Sequence, residues 1–183
     1  MKWHKKFIPT KYVTNIYEIN YDELHKQGIK ALFFDLDNTI IPYDIEQIQK
    51  QEIDFLHSLE SKFKIVIVSN SRLKRVSKAT QNLNLPFVKF ARKPLKVGFK
   101  KALKIVNLKP HEVAIIGDQL MTDIYGGNKM KFAETIFVQP IKKKSDTFTT
   151  RINRKLEKKV INKIKKKDFQ KYEEVLKQYA EEN

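Results

Sequence analysis

Two carboxylates separated by one residue close an apolar run at Phe34-Asp35-Leu36-Asp37-Asn38-Thr39. A carboxylate can attack phosphorus to give an acyl phosphate, and a second one beside it can protonate the leaving oxygen and later deprotonate water. A turn rich in Asp and Asn that only closes a strand would account for the same residues taken alone. A second apolar run, Ile115-Ile116-Gly117-Asp118, also ends in an acid, and Asp123 follows five residues later. Asp35, Asp118 and Asp123 would offer the oxygen ligands Mg2+ prefers, easing the attack of one anion on another. Taken singly, Asp118 and Asp123 read equally well as a helix cap and a surface acid. Val68-Ser69-Asn70-Ser71 supplies hydroxyl, amide and backbone N–H groups that either hold phosphate oxygens or cap a helix near Arg72. Lys93, just before Pro94, would offset charge on a transferring phosphoryl group if it reached the same place.

Positioning these groups together is the task of the intervening elements. Five short runs rich in β-branched or aromatic residues, 30–35, 64–69, 86–90, 112–118 and 134–138, read as strands. Their continuous apolar character, as in Ile65-Val66-Ile67-Val68, suits strands covered on both faces. Helical patterns at 45–62, 73–83, 96–106 and 121–130 separate them. The alternation predicts an α/β fold with a doubly wound, mainly parallel five-stranded sheet and helices on both faces. Ligands in such sheets bind beyond the carboxyl ends of the strands, where Asp35, Ser69 and Asp118 all fall. Residues 30–140 are then the catalytic domain. Residues 1–29 form an aromatic and basic flank expected to pack against the sheet edge, and residues 141–183 a basic helical extension.

The order Asp-x-Asp-Asn-Thr, Ser-Asn, Lys-Pro and Gly-Asp-x4-Asp resembles the haloacid dehalogenase (HAD) superfamily of phosphotransferases. Phe34–Ile41, Lys93-Pro94 and the run from Gly117 to Asn128 look like the capless subfamily IIIA phosphatases of the YqeG type. That resemblance implies Asp35 as nucleophile, Asp37 as general acid and then base, and Ser69 and Lys93 as phosphate ligands, Lys93 also neutralising charge. It further implies Asp118 as Mg2+ ligand, Asp123 assisting, the Asp37 carbonyl on the metal, and Asn70 and Thr39 in support. The gaps between the motifs are too short for a large cap, so the cleft is expected to lie open.

Composition bears on the substrate. The chain carries 37 Lys and Arg against 21 Asp and Glu, a formal charge of +16, which favours anionic partners without choosing among them. It has no cysteine, which removes thiolate nucleophiles and Cys-based metal sites. No apolar run approaches the ~20 residues that span a bilayer, and the start lacks a signal-peptide core, so the chain is expected in the cytoplasm. YqeG-type proteins resemble mitochondrial phosphatases acting on phosphatidylglycerophosphate, a terminal phosphomonoester at an anionic bilayer surface. That lipid is the expected substrate, with peripheral contact at the inner face of the cell membrane. Residues 142–167, which space Phe148, Ile152, Leu156, Val160 and Ile164 four apart among lysines, and the residues Trp3, Phe7 and Ile8 are the candidate contacts. The same stripe would equally serve to pack on the domain. A soluble nucleotide or sugar phosphate is the competing substrate. An RNA- or ribosome-binding factor with a vestigial site is the competing function, although no paired stacking aromatics mark RNA recognition.

Overall fold

The computed structural model describes residues 2–182. Strands β1 (Lys11–Val13), β2 (Ala31–Phe34), β3 (Lys64–Val68), β4 (Phe87–Val88), β5 (Val113–Gly117) and β6 (Glu134–Val138) form one sheet in the order β1-β6-β5-β2-β3-β4. All five pairings are parallel. The sheet therefore has six strands where the sequence suggested five. The sixth, β1, comes from the amino-terminal flank and pairs its edge with β6, Lys11 opposite Ile136 and Val13 opposite Val138. Three residues with only two of them apolar carry no readable period, which is why the strand was not visible in the sequence.

The two faces of the sheet are covered for a simple reason: alternate residues of each buried strand point to opposite sides. Leu32, Phe34, Ile65, Ile67, Ala114 and Ile116 face α1 (Tyr21–Lys26), α2 (Lys50–Leu59) and α3 (Leu73–Ala79). Ala31, Phe33, Val66, Val113 and Ile115 face α4 (Lys96–Val106) and α5 (Tyr125–Met130). Helix α2 is shorter than the pattern over 45–62 predicts, because residues 42–48 instead form a turn that leans on α3 through Ile48 N–H to the Ala79 carbonyl, 3.0 Å. The chain closes with α6 (Phe148–Lys167), α7 (Phe169–Val175) and α8 (Lys177–Glu182). Val160, Ile161, Ile164, Tyr172, Val175 and Tyr179 from these helices pack on Phe137 of β6 and on Phe7, so the flanks share a third apolar cluster with the sheet. Among the described residues no helix is long and apolar enough to cross a membrane.

Strand order reverses between β2 and β5, which neighbour each other at the centre. Their register, Phe34 opposite Ile116, sets the residues after both strands side by side at the switch point. Gly98 fixes the far wall: a Cβ there would lie 2.4 Å from the Ala91 carbonyl oxygen, so α4 can approach the 89–94 loop only because that position is bare. Gly98→Ala is expected to lower stability by about 1–3 kcal/mol through overpacking; urea denaturation checks this, and an unchanged midpoint would show that the loop yields freely.

Candidate active site

The turn after β2 wraps back on itself. The Leu36 carbonyl accepts from the N–H groups of Ile40 and Ile41, at 3.0 and 3.2 Å, while Asn38 takes the left-handed conformation, φ 62°. Asn tolerates that region better than most residues, which explains an Asn at this point. Asp35 N–H remains bonded to the Ile116 carbonyl at 2.9 Å, holding the carboxylate over the sheet edge. On the neighbouring strand Gly117 is required by close approach: a Cβ would fall 2.3 Å from Cγ of Asp123. The Asp123 side chain folds into that space from a π turn, Leu120–Ile124, of a kind often found at functional sites.

Asp35, Asp118 and Asp123 are buried and each brings a carboxylate oxygen within 4.8 Å of the others. Lys93 Nζ lies between two of them, 2.6 Å from Asp35 Oδ1 and 2.6 Å from Asp123 Oδ1. Asn70 brackets the lysine backbone, accepting from Lys93 N–H at 2.7 Å and donating to its carbonyl at 3.2 Å. Ser69 is buried beside it, its Oγ accepting from Ser71 N–H at 3.0 Å. Thr39 lies beneath the cleft, 3.5 Å from Asp118 Oδ1, and does not line it. Both oxygens of Asp123 are engaged, Oδ1 by Lys93 and Oδ2 by Thr122 Oγ1 at 3.1 Å and Gln119 N–H at 3.3 Å, so Asp123 anchors the lysine.

Burial dominates the electrostatics. It pushes the Asp35 carboxyl well above the usual range, with Lys93 pulling the other way. Burial also opposes charge on Lys93, but Asp123 and Asp35 outweigh it and hold the ammonium above the ordinary lysine range. Asp118 is likewise raised by burial against the pull of a second cation, Arg154 of α6. Three carboxylates thus meet two cations, leaving an excess of negative charge and a set of hard oxygen donors that fits a divalent cation.

Sequence reasoning passed over several of these groups. Arg154 pairs with Asp118 Oδ2 and also donates to the Asp118 backbone carbonyl. It further contacts Asp146 at 3.3 Å and Glu157 at 3.4 Å. Glu157 in turn accepts from Leu120 N–H at 2.7 Å, and Asp146 from Asn38 Nδ2 at 2.6 Å, so the carboxy-terminal helix is tied to both acid-bearing turns. Arg154 carries no sequence signal of its own, being one basic residue among the many of its helix. Asp37, on the cleft wall, is held by Ser71 Oγ at 2.7 Å and by Arg75, whose Nη2 is 2.8 Å from Oδ1. The cleft has a volume of about 960 Å3 and is also lined by Arg72, Lys74 and Arg92, none of which has a carboxylate partner among the described residues.

Acids gathered at the switch point of a parallel sheet, with a buried lysine between two of them, form a site suited to phosphoryl transfer, and the comparisons place the chain among phosphatases. The family model described as mitochondrial PGP phosphatase matches residues 1–142. The chain belongs to that family and is of the YqeG type. It is 36% identical over 171 residues to the probable phosphatase YqeG of Bacillus subtilis (strain 168), covering 93% of this chain and 98% of the relative. Among solved structures, an uncharacterized protein from Listeria monocytogenes serotype 4b has a TM-score of 0.50 at 18% identity, covering 61% of this chain and 79% of that one. A hypothetical protein from Xanthomonas campestris has a TM-score of 0.50 at 14% identity, over 67% of this chain and 71% of its own. At such identities the two structures establish the fold alone.

The Arg154 network makes two measurable differences to stability. Arg154→Met strands buried Asp118 and Glu157 without their cation and is expected to cost about 3–5 kcal/mol, read by urea denaturation; a loss under 1 kcal/mol would mean the pair contributes little. Burial, opposed by Arg154, pushes Glu157 up to about 7. A raised carboxyl pKa means the folded state binds the proton more tightly, so this group's contribution to stability falls as pH rises from the ordinary carboxylate range, ~4.3, toward 7. In chelator, Glu157→Gln should therefore gain stability relative to wild type over that interval and hold it at higher pH; a constant difference would contradict the assignment.

Proposed function

We propose that the protein hydrolyses phosphatidylglycerophosphate to phosphatidylglycerol and phosphate, with Mg2+ as cofactor and Asp35 as nucleophile. The observation that carries this reading is the buried ammonium of Lys93, 2.6 Å from Asp35 at the floor of an open, cation-lined cleft. In the first step an Asp35 carboxylate oxygen bonds to phosphorus as the bond to the glycerol oxygen breaks, and Asp37 gives that oxygen its proton. In the second step Asp37 takes a proton from water, whose oxygen attacks the phosphorus. The acyl phosphate bond breaks, phosphate leaves, and the Asp35 carboxylate is restored.

Lys93 serves both steps by offsetting charge on the phosphoryl oxygens. Ser69, on the same wall, donates to a phosphate oxygen, and Asn70 keeps the Lys93 backbone in place. Thr39 acts from below through Asp118. Held by Asp35, Asp118 and the Asp37 carbonyl, with Asp123 at its side, Mg2+ would supply the charge neutralisation that lets a carboxylate approach a phosphate dianion. Substrate choice is supported by the family and by Arg72, Lys74 and Arg92, which suit the second, diester phosphate of this lipid.

Purified protein should release phosphate from vesicles containing phosphatidylglycerophosphate when Mg2+ is present and stop when the metal is chelated. Asp35→Asn should lose at least about a thousandfold in kcat on this lipid and on p-nitrophenyl phosphate alike, since the covalent route is removed. Turnover of a sugar phosphate or nucleotide in preference to the lipid would sink the substrate assignment, and an active Asp35→Asn protein would sink the nucleophile.

A further inference from the structure

Helix α6 divides its apolar stripe. Val160 and Ile164 are buried against the domain, whereas Phe148, Ile152 and Leu156 are 79%, 43% and 39% exposed. At 3.6 residues per turn these three form one row along the outward face, and Lys155, Lys159 and Lys163 form the adjacent row. All three lysines are exposed, and none has a carboxylate partner among the described residues. The face continues at its far end, because Lys163 Nζ lies 4.5 Å above the ring of Trp3, which is 45% exposed. From Phe148 to Lys163 this amphipathic strip is about 22 Å long at 1.5 Å per residue. Phe7, in contrast, is buried and stacked on Tyr125 with centroids 4.5 Å apart, so of the two amino-terminal aromatics only Trp3 is open to contact.

The strip begins at the cleft. Thr147, Thr149, Thr150 and Asn153 of the same helical segment line the cavity above Asp35 and Asp37, so Phe148 and Ile152 stand on its rim. Exposed large apolar side chains cost solubility wherever nothing covers them. Alternating them with unpaired lysines, and ending on a Trp, is the chemistry of a helix lying in a lipid headgroup layer. A folded protein partner would require carboxylates spaced to match these lysines. A bilayer needs only negative surface charge and a few ångströms of accessible hydrocarbon, both of which the strip meets along its whole length.

We propose that the outward face of α6, from Phe148 to Lys163 and including Trp3, docks on an anionic lipid bilayer with the catalytic cleft opening toward the headgroups. This rests on the lipid-phosphate reading of the site, and it goes further by assigning contact to the helix at the cleft rim. A phosphomonoester protruding from the bilayer would then reach Asp35 without leaving its leaflet.

The test is co-sedimentation of the full chain with phosphatidylcholine vesicles made with and without phosphatidylglycerol, beside turnover of soluble p-nitrophenyl phosphate as a check of folding and catalysis. Wild type should bind the anionic vesicles preferentially. Phe148→Ser/Ile152→Ser and, separately, Lys155→Glu/Lys159→Glu should each weaken that binding at least about tenfold while p-nitrophenyl phosphate turnover stays within twofold of wild type, about 0.4 kcal/mol. Unchanged vesicle binding in both variants would overturn the proposal. So would loss in the lysine variant alone, which would leave a non-specific charge attraction. So would a wild type that ignores anionic vesicles but binds a short RNA through this face. Failure of the phosphatase reading shows elsewhere, as absent turnover of p-nitrophenyl phosphate by wild type.

Discussion

Carboxylates are buried together only where cations are buried with them, and here that requirement is met by Lys93. Its ammonium is set between Asp35 and Asp123 at 2.6 Å from each. Removing a charge from water costs several kcal/mol even after the protein relaxes, so such a cluster survives only with close pairing and complete hydrogen bonding. Much of the local architecture serves that end. Asn70 grips the lysine main chain on both sides, Gly117 clears room for Asp123, and Gly98 lets α4 close the loop that carries the lysine. The reactive geometry is therefore a consequence of charge balance as much as of shape. The remaining excess of acidic groups over cations is a donor set that fits a further cation.

Arg154 extends the same logic beyond the sheet. It neutralises Asp118 from a helix that the family model, ending at residue 142, does not reach. Through Glu157 and Asp146 that helix is fastened to the turns after β5 and β2, so the carboxy-terminal segment forms part of the site. One face of α6 therefore supplies charge to Asp118 of the acidic cluster, while another faces outward with its apolar and basic rows. A displacement of the helix would be felt at Asp118.

Much of this was legible in sequence because strong local signals coincide with strand ends. The apolar runs before Asp35, Ser69 and Asp118 announce buried parallel strands, and a parallel sheet must gather their carboxyl ends. Lys93 was legible only through the ordered motif set, since one lysine among many carries no pattern. Arg75 and Arg154 were hidden for the same reason, each reaching an acid more than thirty positions away. No period records a pairing of that kind. Strand β1 escaped because its three residues draw their order from β6 and not from their own propensity. The division of the α6 stripe into buried and exposed halves depends on where the domain surface ends under the helix, which spacing alone does not encode.

In the proposed mechanism a carboxylate oxygen of Asp35 bonds to phosphorus, and trapping that bond tests the proposal most directly. Protein quenched in acid during turnover of a radiolabelled phosphomonoester should carry acid-stable, hydroxylamine-labile phosphate on the peptide containing Asp35. Label on another residue, or turnover with no label at all under conditions that slow the second step, would contradict Asp35 as the nucleophile.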